Sequence, residues 1–252
     1  MIYDCFTFFN ENELLELRLM TLYNTVDYFV IVEAGQTFTG RPKPFNFVMP
    51  GKYADKIRYI KLLSLPFKNA WDNEFFQRNS IVKGLYDAKP DDVIIISDVD
   101  EIPNPEAIRK GMTHDTFILE QRLFYYYVNC EQAQLWPGPV GIRKQLLRSP
   151  QAVRESRGSG INVISNGGWH YSFLGGVKSI QEKLNAFAET QVNTPDVNNP
   201  ENISRCLDSG GDIFHRSDKW AQKAFVTDNN HPQLKEWLDK YPHHKHNASM
   251  SL

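Results

Sequence analysis

The chain contains 252 residues, and its 28 lysine and arginine residues nearly balance its 30 aspartate and glutamate residues. Because the basic residues form no block, this balance argues against a protein that binds nucleic acid non-specifically. The length fits a single domain with a sizeable core, and no apolar run is long enough to span a membrane.

The start of the chain predicts a strand followed by a helix. Tyr3–Phe9 is rich in aromatic and β-prone residues, which favours a strand. Asn10 followed by Glu13 is an N-cap pattern, so a helix is expected to begin there. The apolar residues of this helix recur on one face, at Leu15, Leu19, Leu22 and Val26.

Three further strands are predicted in the first hundred residues. Tyr28–Val32, Ile57–Ile60 and Val93–Ile96 are short apolar runs, and Trp71–Tyr86 has a helical pattern. Alternating strands and helices, with strands apolar on both faces, indicate a parallel sheet with right-handed crossovers. The sequence therefore predicts an α/β fold: a Rossmann-like nucleotide-binding sheet with helices on both faces, although the Gly-x-Gly-x-x-Gly dinucleotide fingerprint is absent.

The second half of the chain has a different character. Phe117–Val128 is rich in aromatic residues, whereas Arg154–Gly168 is rich in Gly, Ser and Asn and is expected to be a mobile loop. Gly167–Phe173 predicts a short strand bounded by glycines. A capping box places the start of a helix at Ser179, and a last helix is expected over Pro232–Tyr241.

The most informative stretch is the apolar run Val93–Ile96 with the two carboxylates that follow it, Asp98 and Asp100. Open α/β sheets bind ligands at the carboxyl ends of their strands, and carboxylate oxygens suit hard cations such as Mg²⁺ or Mn²⁺. The pattern therefore predicts a metal-bridged phosphate site in an α/β enzyme. The alternative is structural: Asn104 and Pro105 can begin a short helix, and the carboxylates can be solvated loop residues.

Cysteine usage and the N-terminus bear on the compartment. Cys5, Cys130 and Cys206 are widely spaced and odd in number, which suits a reducing compartment. The N-terminus lacks the basic start and apolar segment of a signal peptide, so a cytoplasmic location is expected. The histidine-rich run His243–His246 is interpreted as a solvated tail, with metal binding as the alternative.

Several motifs follow one another in a characteristic order. They are Tyr3–Glu11, Leu14–Leu19, Val26–Glu33, Pro90–Pro103 and Gly168–Ser172. Through these motifs the chain resembles glycosyltransferase family 17, and in its compact length it resembles the shorter microbial branch, without the membrane anchor and stem of the eukaryotic members. The combination is far more specific than Asp-x-Asp alone.

The resemblance implies a GT-A type fold and a metal-dependent enzyme that transfers a sugar with inversion. The implied donor is a UDP-sugar, with N-acetylglucosamine as the sugar, and the implied acceptor is a hydroxyl of a glycan or glycoconjugate. Within one domain, residues 1–110 are expected to bind the nucleotide sugar and residues 111–252 the acceptor. Peripheral contact with a membrane is left open, and no nucleic-acid partner is expected.

Three residues are candidate ligands of the cation. Asp98 and Asp100 would hold Mn²⁺ or Mg²⁺ on the donor diphosphate, and the cation would neutralise charge on the leaving group. Asp98 can also contact the ribose or a metal-bound water. His170 either completes the coordination or is a buried, hydrogen-bonded histidine.

Other candidates for donor binding lie at strand ends and on a helix. Glu33 ends the second strand, and Asn10 and Glu11 end the first, where side chains can reach the nucleoside. Helix capping is the competing role of Asn10. Arg78 either neutralises phosphate as a bidentate donor or is an exposed helix residue.

The acceptor side is less defined by the sequence. Trp169 and Tyr171 are expected to line the acceptor site, because aromatic faces suit sugar rings, with core packing as the alternative. An inverting transferase also needs a base for the acceptor hydroxyl. The sequence does not identify it, and Asp212 and Glu189 are the preferred candidates.

Two other functions fit part of the pattern. A metal-dependent sugar nucleotidyltransferase would keep the cation but usually has a glycine-rich, basic loop after the first strand, where this chain has the acidic segment Asn10–Glu13. A non-catalytic carbohydrate-binding module would explain Trp136, Trp169 and the tyrosine cluster. It would leave the carboxylates after the buried strand unexplained.

Overall fold

The computed structural model describes residues 1–158, 160–216 and 223–247. The strands are β1 (Ile2–Phe8), β2 (Tyr28–Ala34), β3 (Ile57–Leu62), β4 (Val93–Asp98), β5 (Glu101–Pro103), β6 (Thr116–Tyr125), β7 (Cys130–Arg143), β8 (Asn162–Ser172) and β9 (Lys223–Phe225). The α-helices are α1 (Asn12–Leu22), α2 (Ala70–Asn79), α3 (Pro105–Gly111), α4 (Pro150–Glu155), α5 (Gly176–Ala186), α6 (Pro200–Ser209) and α7 (Leu234–Lys240). Short 3₁₀ helices cover Gly51–Lys56, Ser80–Gly84, Lys144–Leu146, Thr190–Val192 and Pro242–His244.

One mixed sheet runs through both halves of the chain. Its order is β3-β2-β1-β4-β7-β6-β8-β5, and β9 pairs with β7. β3, β2, β1 and β4 are mutually parallel, as the alternation of strands and helices predicts. β7 then joins β4 in the antiparallel direction, and β6 pairs antiparallel with β7 and parallel with β8. The α/β class and the parallel half are therefore confirmed.

Alternate residues of the parallel strands point to two separate cores. Phe6 packs with Leu15 of α1 on one face of the sheet. Cys5 and Val30 face the other side, where Ile81 and Val153 cover them. Because both faces are buried under helices, these strands read as continuous apolar runs in the sequence. Among the described residues, none of the helices combines the length and apolar character that crossing a bilayer requires.

Several predicted boundaries are wrong for identifiable reasons. Asn10 does not cap α1: the residue at the cap position is Glu11, whose carboxylate accepts hydrogen bonds from the backbone nitrogens of Phe9 and Asn10. α5 begins before Ser179, because Gly175 adopts a φ of 101°, a left-handed conformation that favours glycine and starts the helix early.

Most of the described residues in the expected mobile loop at Arg154–Gly168 belong instead to a helix or a strand. This segment begins in the last turn of α4, where Arg154 is buried, and it contains the first half of β8. Gly167 serves close packing, because a Cβ there would clash with the backbone of Leu119 in the neighbouring strand, whereas a Cβ at Gly158 or Gly160 would meet nothing within 4 Å. Composition alone did not separate this use of glycine from flexibility.

The helices of the second half follow their apolar patterns. Ile180 and Leu184 of α5 are fully buried beside Leu123, Tyr126 and Ile203. α7 contributes Trp237, which is 1% exposed. All three cysteines are buried and none of them forms a disulfide, as expected of small core residues.

Candidate active site

A pocket of about 310 Å³ opens where β1 and β4 end. β1 lies between β2 and β4, so the chain changes direction across the sheet at this point, which is where open α/β sheets bind ligands. The residues that line the pocket include Thr7, Phe8, Phe9, Asp98, Val99, Asp100, Glu74, Arg78 and Lys183. The expected location of the site, after the fourth strand, therefore coincides with a pocket.

Asp98 is the last residue of β4 and is held between two arginines. Its carboxylate lies 3.1 Å from Arg78 Nη2 and 2.5 Å from Arg154 Nη2. Burial would raise the pKa of Asp98, but the attraction of Arg154 and Arg78 outweighs it and holds that pKa below its usual range. About a third of the side chain (34%) remains exposed, so the ionised carboxylate is accessible from the pocket.

Asp100 has a different pair of partners. Lys183 Nζ lies 2.8 Å from Oδ2, and His170 Nε2 lies 3.6 Å from Oδ1. Burial would raise the pKa of Asp100, but Lys183 and His170 lower it well below its usual range. Burial would likewise lower the pKa of Lys183, which the attraction of Asp100 raises instead. Both groups are therefore charged at neutral pH.

Glu101 supports the two aspartates from inside the protein. It is fully buried and accepts hydrogen bonds from Arg154, from Trp136 Nε1 at 2.7 Å and from the backbone nitrogen of Asp98 at 3.1 Å. Burial would raise its pKa, and Arg154 outweighs burial and lowers it. The interpretation of Asp98–Glu101 as solvated loop residues is therefore wrong for Glu101 and Asp100.

A buried arginine holds the same turn from below. Arg18 of α1 has no exposed side-chain surface and forms a bidentate ion pair with Asp4 of β1 at 2.6 and 2.8 Å. It also donates to Ser97 Oγ. Its Nη1 donates to three backbone carbonyls of the turn, those of Asp98, Val99 and Glu101. One side chain thus fixes the path of the backbone that presents both aspartates.

The side chains of Asp98, Asp100 and His170 offer ligand atoms that suit a divalent cation. Their carboxylate oxygens and imidazole nitrogen are ligands that Mn²⁺ accepts. The Nδ1 atom of His170 is buried without a hydrogen-bond partner, so the protein does not fully satisfy this imidazole. In the structure these two carboxylates are paired with Arg78, Arg154 and Lys183, which would have to move for a cation to bind.

The other predicted donor-binding residues separate into two groups. Glu11 and Arg78 line the pocket, and Arg78 is 3% exposed rather than a surface residue. Glu33 does not line it. That carboxylate is fully buried and bound to Lys43, Tyr59 and the backbone nitrogens of residues 46 and 47, so it fixes a loop instead of reaching a nucleoside.

Asn10 also lies outside the pocket lining. Its amide donates to Glu182 Oε2 at 3.3 Å, which joins the loop after β1 to α5. The chain path after Phe9 turns Asn10 away from the cavity, whereas Phe9 itself and Glu11 face it. The expected contact of Asn10 with the nucleotide therefore stays a prediction, which the pocket lining does not support.

Trp169 and Tyr171 are core residues, so their prediction as acceptor ligands is corrected. They are 4% and 1% exposed and pack around His231. Trp169 Nε1 donates to the backbone carbonyl of Asn229, and the Tyr171 hydroxyl lies 2.9 Å from His231 Nδ1. β8 alternates its side chains, so His170 between them faces the pocket while both aromatic neighbours face the core.

Aromatic residues of the second half form an aromatic wall of the pocket. Five aromatic side chains of the second half line the pocket: Tyr125, Trp136, Phe173, Phe187 and Phe214. Aromatic faces of this kind pack against sugar rings. The chemistry expected of Trp169 and Tyr171 is therefore present in the pocket, but it comes from different residues.

The two candidate bases occupy unequal positions. Glu189 lines the pocket and is exposed. Asp212 is not among the lining residues; its side chain is 2% exposed and accepts hydrogen bonds from the guanidinium and backbone nitrogen of Arg216. Because a base must reach the acceptor hydroxyl, the position of Glu189 suits this role better than that of Asp212.

Several charged residues at the site were not predicted from the sequence, among them Lys183, Arg154 and Glu74. Lys183 and Arg154 approach the aspartates from α5 and α4, more than 50 positions away in the chain. Glu74 lines the pocket one helical turn before Arg78 and bonds to it at 2.6 Å, and burial raises the pKa of Glu74 although Arg78 opposes the shift. The i, i+4 spacing of Glu74 and Arg78 was a readable signal, whereas nothing local marked Lys183.

Comparison with known sequences identifies the family. A family model described as glycosyltransferase family 17 matches residues 1–227. The chain belongs to glycosyltransferase family 17. It is therefore a glycosyltransferase, an enzyme that moves a sugar from a donor to an acceptor.

Curated relatives match a shorter stretch. The human and rat proteins named beta-1,4-mannosyl-glycoprotein 4-beta-N-acetylglucosaminyltransferase are each 31% identical over 112 residues, and the mouse protein of that name is 30% identical over 112 residues. Each match covers 39% of this chain and 21% of the relative. The matched region thus spans about a fifth of the length of these relatives.

Proposed function

We propose that this family 17 enzyme has a GT-A type fold and binds a nucleotide diphosphate sugar in the pocket at the end of β4. The observation that carries the proposal is the pair Asp98 and Asp100, ionised and facing a pocket that also contains Arg78 and Lys183. Carboxylates and cations that line one cavity suit a ligand that combines phosphate groups with a metal ion.

The donor diphosphate exchanges partners with the side chains of the pocket. In the structure, Arg78 and Lys183 are each paired with an aspartate. Asp98 and Asp100 would hold a divalent cation that accompanies the diphosphate, and Arg78 and Lys183, released from these carboxylates, would then bind phosphate oxygens. Arg78 contributes a bidentate fork and Lys183 a point charge.

Asp98, Asp100 and His170 are the residues that would hold the cation, and the mixed oxygen and nitrogen ligands favour Mn²⁺ over Mg²⁺. When bound, the cation supplies charge neutralisation for the diphosphate leaving group. Glu101 and Arg18 keep the turn in place while the pocket partners rearrange, because neither of them lines the cavity.

The acceptor enters from the aromatic wall. Its sugar ring packs on aromatic faces such as Trp136 and Phe173, and Glu189 takes the proton of the attacking hydroxyl. A single displacement with one base inverts the anomeric carbon. By analogy with glycoside hydrolysis, the transition state has oxocarbenium character.

The identity of the sugars rests on the relatives. The human, rat and mouse proteins carry the name of an N-acetylglucosaminyltransferase that acts on mannosyl glycoproteins. We propose N-acetylglucosamine as the transferred sugar, UDP as its carrier and a glycan or glycoconjugate hydroxyl as the acceptor.

A screen of nucleotide sugars with simple glycan acceptors tests the proposal. NMR of the product should show an anomeric configuration opposite to that of the donor. Glu189→Gln should lower kcat by at least about 10²-fold, the scale of general base catalysis, while donor affinity stays near that of the wild type. Asp212→Asn is the matched comparison and should retain more turnover. Retention of configuration would refute the mechanism.

A further inference from the structure

The histidine-rich segment near the C-terminus is not a solvated tail. Residues 242–246 pack against α1 and the start of β7: His244 is 5% exposed, and its backbone carbonyl accepts a hydrogen bond from Val128. Asn129 holds His246 through both backbone groups of that residue. The expectation from composition is wrong because three histidines in the segment find protein partners.

Two of these histidines converge on one carboxylate oxygen. Glu13 Oε2 lies 3.0 Å from His243 Nε2 and 2.6 Å from His244 Nε2. All three ligand atoms lie within 4.8 Å of one another. In the part of the chain that the structure describes, no other set of three histidine, cysteine, aspartate or glutamate residues is gathered so closely.

The orientation of this cluster is fixed by one tryptophan. The Trp237 ring stacks on His244 with ring centroids 4.8 Å apart, and its indole nitrogen donates to the backbone carbonyl of Glu13 at 2.7 Å. Trp237 therefore positions two members of the cluster at once. The Nδ1 atom of His244 is buried without a hydrogen-bond partner, so the ring is not satisfied by the contacts that hold it.

We propose that Glu13, His243 and His244 form a site for a transition metal of the zinc class, which joins the first turn of α1 to the C-terminal segment. Two imidazoles and a carboxylate are an established zinc ligand set that leaves a fourth position for water. Tetrahedral ligands about 2.0–2.2 Å from the metal lie roughly 3.3–3.5 Å from one another. The Glu13 oxygen needs to move away from each imidazole nitrogen by less than about 1 Å to reach that spacing.

The exposed members of the cluster allow that small movement. The side chains of His243 and Glu13 are 57% and 43% exposed, whereas His244 is held in the core. Binding through Nε2 would require the ring proton of each histidine to sit on Nδ1, so that both imidazoles stay neutral and the Glu13 carboxylate, no longer accepting from them, becomes the third ligand. None of these residues lines the active-site pocket, so the proposal is independent of the proposed sugar transfer.

The site has a structural consequence for the pocket. Glu11, two residues before Glu13, lines the donor side, and its carboxylate orders the backbone at Phe9 and Asn10. A metal that ties the first turn of α1 to the C-terminal segment would stiffen this edge of the pocket. The metal would therefore act on the fold and not on the reacting atoms.

Titration of the metal-free full-length chain with Co²⁺ tests the site directly, because tetrahedral Co²⁺ has visible ligand-field absorption and zinc displaces it. The wild type should bind one Co²⁺ with this spectrum, and Zn²⁺ should raise its thermal midpoint. His243→Ala removes an exposed ligand without opening the core and should weaken binding by at least about tenfold. His114→Gln and Asp100→Asn should leave the spectrum unchanged.

Three results would overturn the proposal. They are the absence of the tetrahedral Co²⁺ spectrum, equal Co²⁺ affinity in the wild type and His243→Ala, and loss of the spectrum in Asp100→Asn. Glu13→Gln gives a second check that does not touch the histidines, because a neutral amide is a poorer ligand than a carboxylate. The Glu13→Gln protein should also lose the zinc-dependent rise in thermal midpoint.

Discussion

Replacing Arg18 is predicted to destabilise the fold and the active-site turn together. Arg18→Met removes six hydrogen bonds of a side chain with no exposed surface. It leaves the Asp4 carboxylate buried without its partner, a change that typically costs about 3–5 kcal/mol. Backbone carbonyls of the Asp98–Glu101 turn also lose their donor, so this range is a lower bound.

Thermal unfolding measures the loss. For a chain of this length, each kcal/mol lowers the midpoint by about 2–4 °C, so Arg18→Met should unfold about 6–20 °C below the wild type. Arg109→Met, on the exposed end of α3, is the matched control and should stay within about 0.5 kcal/mol. The double variant Asp4→Leu/Arg18→Met should recover part of the loss, because no carboxylate is left unpaired.

Arg18→Lys separates stability from positioning. Lysine keeps the charge for Asp4 but lacks the planar fork that reaches the carbonyls. The protein should fold and still lose at least about tenfold in kcat/KM, because small displacements of reacting groups are costly. The reasoning is refuted if Arg18→Met unfolds within 2 °C of the wild type, or if folded Arg18→Lys is fully active.

Two further predictions follow from the charged groups. Lys183→Met should weaken UDP binding at least about tenfold in titration calorimetry, whereas Lys178→Met, on the exposed side of α5, should not. Equal dissociation constants of the wild type and Lys183→Met would contradict a contact between Lys183 and phosphate. Burial lowers the pKa of His231 to about 3. Below pH 6.5 the unfolded chain therefore binds a proton that the folded chain does not, and the free energy of unfolding decreases as the pH is lowered. Between pH 6.5 and 5 the free energy of unfolding should decrease by about 2 kcal/mol, which lowers the thermal midpoint by about 4–8 °C. Thermal unfolding of His231→Gln should lack this part of the pH dependence.

The sequence predicted the parallel half of the fold because its signals are local. Runs such as Val93–Ile96 are buried on both faces, and that burial leaves an uninterrupted apolar pattern. The position of Asp98 and Asp100 follows from the same pattern, since carboxyl ends of parallel strands share one edge of the sheet. These residues could therefore be placed before the structure was known.

The partners of those aspartates could not be predicted in the same way. Lys183 contacts Asp100 because α5 passes the end of the sheet, and no sequence pattern near Lys183 predicts that contact. Trp169 and Tyr171 illustrate the opposite failure. Their aromatic character suits both a sugar site and a core, and only the facing of β8 distinguishes the two roles. The type of a residue is compatible with more than one role, and long-range packing determines which role it has.

The proposed function requires Asp98 and Asp100 to bind a nucleoside diphosphate together with a divalent cation. Titration calorimetry of UDP into the metal-free protein, with and without Mn²⁺, tests it most directly. Binding should require Mn²⁺ in the wild type and in Asp91→Asn, an exposed control just before β4, and should be lost in Asp100→Asn. Equal affinity of UDP for the wild type and Asp100→Asn, or binding unaffected by chelator, would contradict the account.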